Sequence, residues 1–575
     1  MRILGVSPSH DSSVAIINNG ELEYFCKEER LSRIKHDNNP YTVLNHIVKN
    51  IGGVIDTAVI SSPTWYVKDN DILEGFLKKS FKCDVIRLCH EHHLQHASLS
   101  FNNSGFKSSL VFVIDRQGSD YNGRMREAET VFRVDKNYNF ESIYKSFWLY
   151  NTGEKFDFSN YKDLLSLRKL FPECEVIAES TLGITKLYET ATTLIGEHSL
   201  ENGKVMGLSA YGEKNKFKNY LRSHVGAITP FKINLFNNGI PNSNLFMHFD
   251  DKDVQPILKE YSPFKIENKN PLSSGFNSPV GLPGEGYELY ADYALHVQTE
   301  TQNEVLKLIK RYVKHTGILN VCVTGGYGFN VVSNENLVKN LPDVNFFFEP
   351  LADDSGNSIG GALMIYRNLS KDKKIYKLKD TFFNHTKENI PSVGVKVTTK
   401  EVASFLADQK IVAVYNGKAE AGPRSLGNRS ILFDSRNPKA KDIINSVKNR
   451  EWYRPFAGSV LKEKANEYFE MYGLKDSPFM TVSFQVKEEK LEVIPGVVHV
   501  DNSCRIQTVD KDICHYYELL KEFECITGVP VLLNTSFNVA GDPLVETVEE
   551  AVDMFKTTKI DVLWFPEKGR MLTGA

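Results

Sequence analysis

The apolar runs of this chain are short, and each of the strongest stops at a loop of small polar residues. Arg2–Val6 gives way to Ser7-Pro8-Ser9-His10-Asp11, and Ser109–Ile114 to Asp115-Arg116-Gln117-Gly118. Ile318–Val323 is followed by Thr324-Gly325-Gly326, and Val344–Phe348 precedes Asp353-Asp354-Ser355-Gly356. A continuous apolar run of strand length, bounded by turn residues, is the mark of a buried strand. Helical spacing over residues 285–316, and again from about Ser358, alternates with these strands. That alternation predicts an α/β fold. No run approaches the roughly 18 apolar residues of a membrane helix. His10 and Asp11 interrupt the first run too early for a signal peptide. The expectation is a cytoplasmic protein with no membrane partner.

The chain has 575 residues, which predicts more than one domain. Residues 1–26 read as strand, loop, strand, Asn18-Asn19-Gly20 hairpin turn and strand, and residues 108–134 repeat that plan. Such a duplication suggests two lobes around one cleft, by analogy with actin-like sugar kinases and Hsp70 ATPases. The lysine-rich stretch near residues 370–389 marks a boundary. The expected division is residues 1–370, a linker over 371–392, and an α/β piece over 393–575. In that last piece Ile411–Tyr415, Val531–Leu533 and Ile560–Phe565 read as strands, and Thr547 with Glu550 as a helix capping box. Lys+Arg total 69 against Asp+Glu 72, a balance without the basic surplus of a protein that coats nucleic acid. The eight cysteines include no C-x-x-C pair and read as reduced core thiols.

His92-His93-Leu94-Gln95-His96 is the sharpest constellation in the first part. Residues four apart share a helix face, so His92 and His96 can chelate one ion. Asp354 is the best third ligand, and two imidazoles with a carboxylate suit Fe(II), Zn or Mn. The plain alternative is a polar helix face. Glycine loops at Glu201–Gly207 (with Gly203, Lys204 and Gly207), at Thr324-Gly325-Gly326 and at Asp354-Ser355-Gly356-Asn357 are candidates for a nucleotide phosphate, or else simple turns, and Asn330 and Asp115 are expected to join them as nucleotide-binding residues. His10 and Asp11 are placed for base catalysis or for turn capping. Glu28–His36 reads as a solvated charged face.

Clustered loop arginines dominate the second part. Lys418, Arg424 and Arg429 lie in GKAEAGPRSLGNRS, Arg450 and Arg454 in NREWYRPF, and Arg505 in HVDNSCRIQTV after His499. Arginine's planar fork suits phosphate and carboxylate, so a polyanionic substrate is one reading. Ion pairs with Glu420, Glu451 and Asp542 are the other. Asn534, Ser536 and Asn538 end a strand with short hydrogen-bonding side chains.

In order along the chain, GVSPSHDSSVAII, EERLSRIKHD, HHLQHA, ENGKVMGLSAYG, GGYGFNVV, EAGPRSLGNRSI, EWYRPFAGSV and LNTSFNVAGDPLV resemble the O-carbamoyltransferases of the nodulation-factor and tobramycin type. The resemblance implies an actin-like first domain related to threonylcarbamoyl-transfer proteins. It implies a second domain similar to threonylcarbamoyl-adenylate synthases. It also implies two-stage chemistry. Carbamoyl phosphate and ATP, with Mg as a compatible companion, yield carbamoyl-adenylate in the second domain. The first domain then passes the carbamoyl group to a hydroxyl of a small-molecule or nucleoside acceptor. By resemblance His92, His96 and Asp354 hold an iron-type divalent metal, and His10 lies near the acceptor. Lys418, Arg424, Arg429, Arg454, Ser536 and Asn538, together with Arg450, His499 and Arg505, would bind phosphates. The family's D-G-x-G-E is Asp115-Arg116-Gln117-Gly118-Ser119 here, and its Gly-Gly-Val-Ala-Leu-Asn is Gly325–Asn330. These changes imply an altered acceptor or nucleotide fit. A tRNA threonylcarbamoyl-type transferase and a non-catalytic actin-like nucleotide-binding protein are the rival readings. A homodimer is left open.

Overall fold

The computed structural model describes residues 1–575 apart from 63–66, 122–124, 150–170, 172, 180–182, 196, 198–199, 214–230, 235–286, 385–393 and 575. Two compact units emerge. The first comprises Met1–Glu23, Asn38–Pro40 and Leu44–Leu378, and the second Tyr24–Asp37, Tyr41–Val43 and Lys379–Ala575.

The first unit contains two sheets with the same strand plan. In one, β1 (Arg2–Ser7), β2 (Ser13–Asn18), β3 (Glu21–Lys27), β4 (Thr57–Ser61) and β5 (Asp84–Leu88) lie in the order β3-β2-β1-β4-β5. In the other, β6 (Ser109–Ile114), β7 (Asp120–Tyr121), β8 (Met125–Val134), β9 (Phe140–Leu149), β10 (Glu175–Glu179), β11 (Phe231–Asn234), β12 (Asn320–Thr324) and β13 (Asn345–Phe348) run β11-β10-β9-β8-β6-β12-β13, with β7 on β8. Each sheet therefore joins an antiparallel meander to parallel neighbours: β1 pairs antiparallel with β2 and parallel with β4, and β6 does likewise with β8 and β12. The Asn19-Gly20 turn is the expected hairpin, and both residues have positive φ (49° and 84°).

The helix Asn357–Ser370 lies against β1 and against the helix His92–Ser104 without intervening side chains. A Cβ at Gly5 would fall 1.9 Å from the Ser358 carbonyl oxygen, and one at Gly360 2.1 Å from the Gln95 carbonyl oxygen. Only glycine permits either approach. Hydrogen bonds fix the register: Ser13 Oγ donates to the Ser355 carbonyl (2.6 Å), and Ser7 Oγ to the Asp354 carbonyl (3.2 Å). The helix expected over 285–316 is observed as Glu288–Thr316, and residues 285 and 286 lie outside the described residues.

Within the stretch read as a linker, residues up to Leu378 are pinned to the first unit. The Tyr376 hydroxyl donates to the Asn19 carbonyl (2.8 Å), and Leu378 N to the Asn103 carbonyl (2.9 Å). Lysine-rich composition says nothing about such backbone pairing.

In the second unit, β14 (Phe382–Asn384) pairs with β17 (Ala419–Glu420). The main sheet is built from β15 (Val395–Lys396), β16 (Val412–Tyr415), β18 (Arg429–Asp434), β19 (Ala457–Leu461), β20 (Ser483–Gln485), β21 (Ser503–Val509), β22 (Val531–Ser536), β23 (Val562–Phe565) and β24 (Arg570–Thr573). Their order is β15-β24-β23-β16-β18-β22-β19-β21-β20. The expected Thr547–Glu550 capping box is present. All eight cysteines are free thiols. Cys26, Cys174, Cys322 and Cys504 are buried, whereas Cys514 and Cys525 are exposed, so core packing accounts for only part of the set.

Glu349, at the end of β13, is fully buried and accepts hydrogen bonds from Asn103 Nδ2 (3.1 Å) and Leu351 N (3.0 Å). Burial outweighs these bonds and pushes its pKa from 4.5 up to about 8. The folded chain therefore keeps this carboxyl neutral where the unfolded chain ionises it, and stability falls as pH rises between those values. The full span is worth roughly 5 kcal/mol. Glu349→Gln keeps the acceptor oxygen and removes the titration. Its melting temperature should exceed that of the wild type by a margin that widens from pH 5 to pH 8. A margin that does not depend on pH would contradict the neutral carboxyl.

Candidate functional site

The chemistry-bearing residues of the first unit sit where strands end, the usual place for ligand sites in α/β sheets. His10 follows β1, Asp115 follows β6, Gly325 and Gly326 follow β12, and Asp354 follows β13. The helix His92–Ser104 presents both of its spaced histidines inward, with His92 2% and His96 0% exposed. His92 Nε2 lies 3.2 Å from Asp115 Oδ2 and 3.5 Å from Asp354 Oδ1. His96 Nε2 lies 3.5 Å from the same Asp354 oxygen. Ligand atoms of His92, His96, Asp115 and Asp354 all fall within 4.8 Å of one another. His10 approaches from the side, Nε2 3.6 Å from Asp354 Oδ2 and Nδ1 3.4 Å from Asp11 Oδ2. Its ring is 36% exposed where the His92 and His96 rings are closed off, so the cluster opens to solvent at His10.

Two buried carboxylates side by side repel, and the cluster carries compensating positive charge. Burial works against charging His92, but Asp354 and Asp115 outweigh it and raise its pKa to about 10. Burial pushes the Asp354 and Asp115 carboxyls up, and the opposing imidazoles bring both well below the usual range. His10 is raised too, against burial, by Asp354 and Asp11. A divalent cation would replace the His92 proton as the balancing charge. Two imidazoles with carboxylate oxygens form a donor set suited to Fe(II), Zn or Mn, so the residues fit such an ion. Asp115, read from sequence as a nucleotide residue, stands among these potential ligands, and Gly326 N donates to its Oδ1 (3.1 Å).

The other glycine-loop candidates are placed as follows. Gly203, Lys204 and Gly207 lie on the helix Gly203–Ser209, which packs on the helix Glu288–Thr316, and the Glu201 carbonyl accepts from Lys204 N (2.9 Å). Lys204 Nζ donates to Glu197 (2.7 Å). Asn330 caps the helix Val331–Asn340 by accepting from Ser333 N (3.0 Å), and it exchanges hydrogen bonds with Gln298.

In the second unit, basic side chains gather with few acids between them. Burial, followed by Arg505 and Arg454, depresses the pKa of Arg424. Burial, followed by Arg454, depresses that of Arg450, and burial alone leads the fall of Arg505 to about 10. These guanidiniums stay charged in any case. Beyond burial, each is depressed by a neighbouring guanidinium, so like charges lie close together in an arrangement that favours an anion. Arg450 is held rigid, Nε donating to Asn445 Oδ1 (2.8 Å) and Nη2 to the Pro455 carbonyl (2.8 Å), with Phe456 4.2 Å beneath it. Arg454 Nη1 lies 3.5 Å from Glu451.

Lys448 is the residue that sequence reasoning missed. It is 3% exposed, and its Nζ donates to Ser536 Oγ (3.2 Å), Asn538 Oδ1 (2.9 Å) and the Asn538 carbonyl (2.7 Å), and to the Ser536 carbonyl. Burial, then Arg450 and Arg454, holds its pKa well below the usual lysine range. The available signal was its place two residues before Arg450, on the helix Ala440–Lys448 that presents it.

Other expected ligands are spent inside the fold. Arg429 is 1% exposed; its terminal nitrogens donate to the carbonyls of Asn416, Asn428, Gly417 and Glu546 (2.8–3.2 Å), and the guanidinium stacks 3.6 Å over Tyr415. Asn534 Nδ2 serves Ser425, Ser459 and Gln507 in a buried network. Glu420, one expected ion-pair partner, instead accepts from the amides of Leu426 (2.6 Å) and Asn428 (3.0 Å) and shapes the loop between them. Lys418 is exposed, with its carbonyl bonded to Asn428 (2.8 Å), and His499 is buried with its amide on Ser503. Glu28–His36 is no solvated face: Glu28 is 1% and Arg30 2% exposed, because their charged ends reach backbone amides and carbonyls.

Two family models match the chain: "Carbamoyltransferase N-terminus" over residues 38–363 and "Carbamoyltransferase C-terminus" over 403–569. The nodulation protein NolNO of Sinorhizobium fredii is 28% identical, covering 96% of this chain and 78% of its own. The Methanocaldococcus jannaschii protein MJ1058 is 30% identical over 85% of this chain and 74% of its own. Among solved structures, full-length HypF in its phosphate- and nucleotide-bound form aligns with 64% of this chain and 55% of its own, at 14% identity and a TM-score of 0.37.

The histidine–carboxylate cluster makes a direct prediction. Purified protein should retain about one divalent ion per chain after desalting, read by elemental analysis. His92→Ala and Asp354→Asn should each lose it while keeping the far-ultraviolet circular dichroism of the wild type. Stoichiometric metal in both variants would place the ion elsewhere.

Proposed function

The chain belongs to the carbamoyltransferase family, and we propose that it is an ATP-dependent O-carbamoyltransferase working in two stages on its two units. The observation that carries this reading is the recess of half-buried Arg424, Arg450, Arg454 and Arg505 with buried Lys448, where cations lie close enough to depress one another's pKa. Such a recess suits phosphorylated substrates. Carbamoyl phosphate and ATP are the substrates proposed for it, and carbamoyl-adenylate the product. Atom balance sets the route: water divides carbamoyl phosphate into carbamate and phosphate. A carbamate oxygen then bonds the α-phosphorus of ATP, and pyrophosphate leaves. Rigid Arg450 and the Lys448–Ser536–Asn538 group would bind and orient the phosphates.

The second stage is proposed for the first unit, whose repeated sheet plan supports an actin-like reading. An acceptor hydroxyl would bond the carbamoyl carbon, AMP would leave, and the hydroxyl proton would pass to His10, oriented by Asp11. His92, His96 and Asp354, with Asp115 beside them, would hold the divalent ion, iron in our reading. When bound, it supplies positive charge where charge develops on the leaving phosphate. The partly open His10 beside closed histidines supports a small hydroxylated acceptor that enters at that edge. A near-neutral chain, at −3, favours such an acceptor over tRNA.

The two stages should fail separately. Arg424→Ala should raise the apparent KM for carbamoyl phosphate by about 10- to 150-fold, the worth of a charged phosphate contact. Lys448→Ala should abolish pyrophosphate release. His10→Ala should release pyrophosphate from ATP and carbamoyl phosphate at close to the wild-type rate, yet carbamoylate no acceptor. Equal loss of pyrophosphate release in the His10 and Lys448 variants would overturn the division of labour.

A further inference from the structure

We propose that the segment Tyr24–Asp37 is a working part of the second unit's anion site, with Arg30 and Arg33 as positioning residues for the two loops that carry Arg424 and the Ser536–Asn538 pair. This rests on reading the recess as a phosphate site. Arg30 is buried, and its Nη2 donates to the Gly422 carbonyl (3.2 Å), two residues before Arg424. Its Nη1 lies 3.8 Å from Glu546. Arg33 closes the helix Glu28–Ser32 in the left-handed region (φ 61°), which turns the chain toward the second loop. There its fork spans two successive carbonyls, Nη2 donating to Pro543 (3.0 Å) and Nη1 to Leu544 (2.9 Å), with Glu550 3.2 Å away. That loop is the one ordered by Asn538, whose Nδ2 donates to the Asp542 carbonyl (2.7 Å). The base of the segment is anchored by Glu28, which accepts from the amides of Thr42 (2.8 Å) and Val43 (2.9 Å). Two residues past Arg33, the Lys35 ammonium comes close enough to Lys448 to contribute to its depressed pKa.

The partners of both arginines are mainly loop carbonyls, and fixing a loop carbonyl fixes the side chains next to it. Misplacing a phosphate ligand by an ångström costs orders of magnitude in binding or rate. A merely stabilising role would lower the melting temperature and leave the affinity of the folded molecules alone. The discriminating measurement is therefore calorimetric titration of the full chain with carbamoyl phosphate. Arg33→Gln should raise the Kd about tenfold, and Arg33→Lys, which keeps one donor head, should recover part of that loss. Because Arg30 is buried beside Glu546, the pair Arg30→Met with Glu546→Gln is made together so that no lone charge is left. It should weaken binding in the same direction. Metal content at the histidine cluster should stay at the wild-type level in both. Wild-type affinity in both folded variants, whatever their melting temperatures, overturns the positioning role alone. A wild-type chain that does not bind carbamoyl phosphate overturns the reading of the recess itself.

Discussion

The first unit's site depends on a backbone-to-backbone contact that only glycine allows. Gly5 on β1 and Gly360 on the helix Asn357–Ser370 let that helix press its own backbone onto the strand and onto the Gln95 carbonyl. Asp354 leads directly into this helix, His10 follows β1, and His92 and His96 flank Gln95 on the facing helix. Three segments far apart in sequence therefore bring imidazole nitrogens of His10, His92 and His96 to 3.5–3.6 Å from the Asp354 carboxyl. A larger residue at either glycine would separate them by more than the site can tolerate, since packed interiors transmit displacement rather than absorb it.

The charge pairs of the first unit and the arginine cluster of the second handle charge in opposite ways. In the first, each charge faces its opposite: His92 with Asp115 and Asp354, Lys145 with Glu127, Lys186 with Glu189. In the recess of the second, like charges crowd together, steadied by carbonyls, amides and an aromatic face. An arrangement balanced from within is poised to exchange one cation for another. A concentration of one sign held by neutral groups gains stability when an anion arrives, which is the thermodynamic form of a binding site.

Much of this was legible in the sequence, and the failures share a cause. Strand-length apolar runs, the Asn19-Gly20 turn, the Thr547 capping box and the histidine spacing all express local rules, and the structure follows them. Arg429, Asn534 and the Glu28–Arg30 stretch misled because composition reveals a side chain's capacity for hydrogen bonds and not who uses it. Arg429 spends its donors on carbonyls of its own fold, while Lys448, inconspicuous in NSVKNR, is the amine that gathers Ser536 and Asn538. Which partner a cation takes is decided by tertiary contacts, here between residues 88 and 117 positions apart.

Membership of Tyr24–Asp37 in the second unit also has a meaning in time. Arg33 and the Leu544 carbonyl it grips are 511 residues apart. At the usual pace of translation, about 5–20 residues per second, the segment waits roughly 25–100 s for its partner loop to be made. For most of that interval Arg30, buried in the finished molecule, lacks the Gly422 carbonyl, and for all of it Glu546. The first unit can complete its sheets while the second cannot close. The second unit is thus completed last, from segments 511 residues apart, and a ribosome that stops short of Leu544 leaves it unfinished.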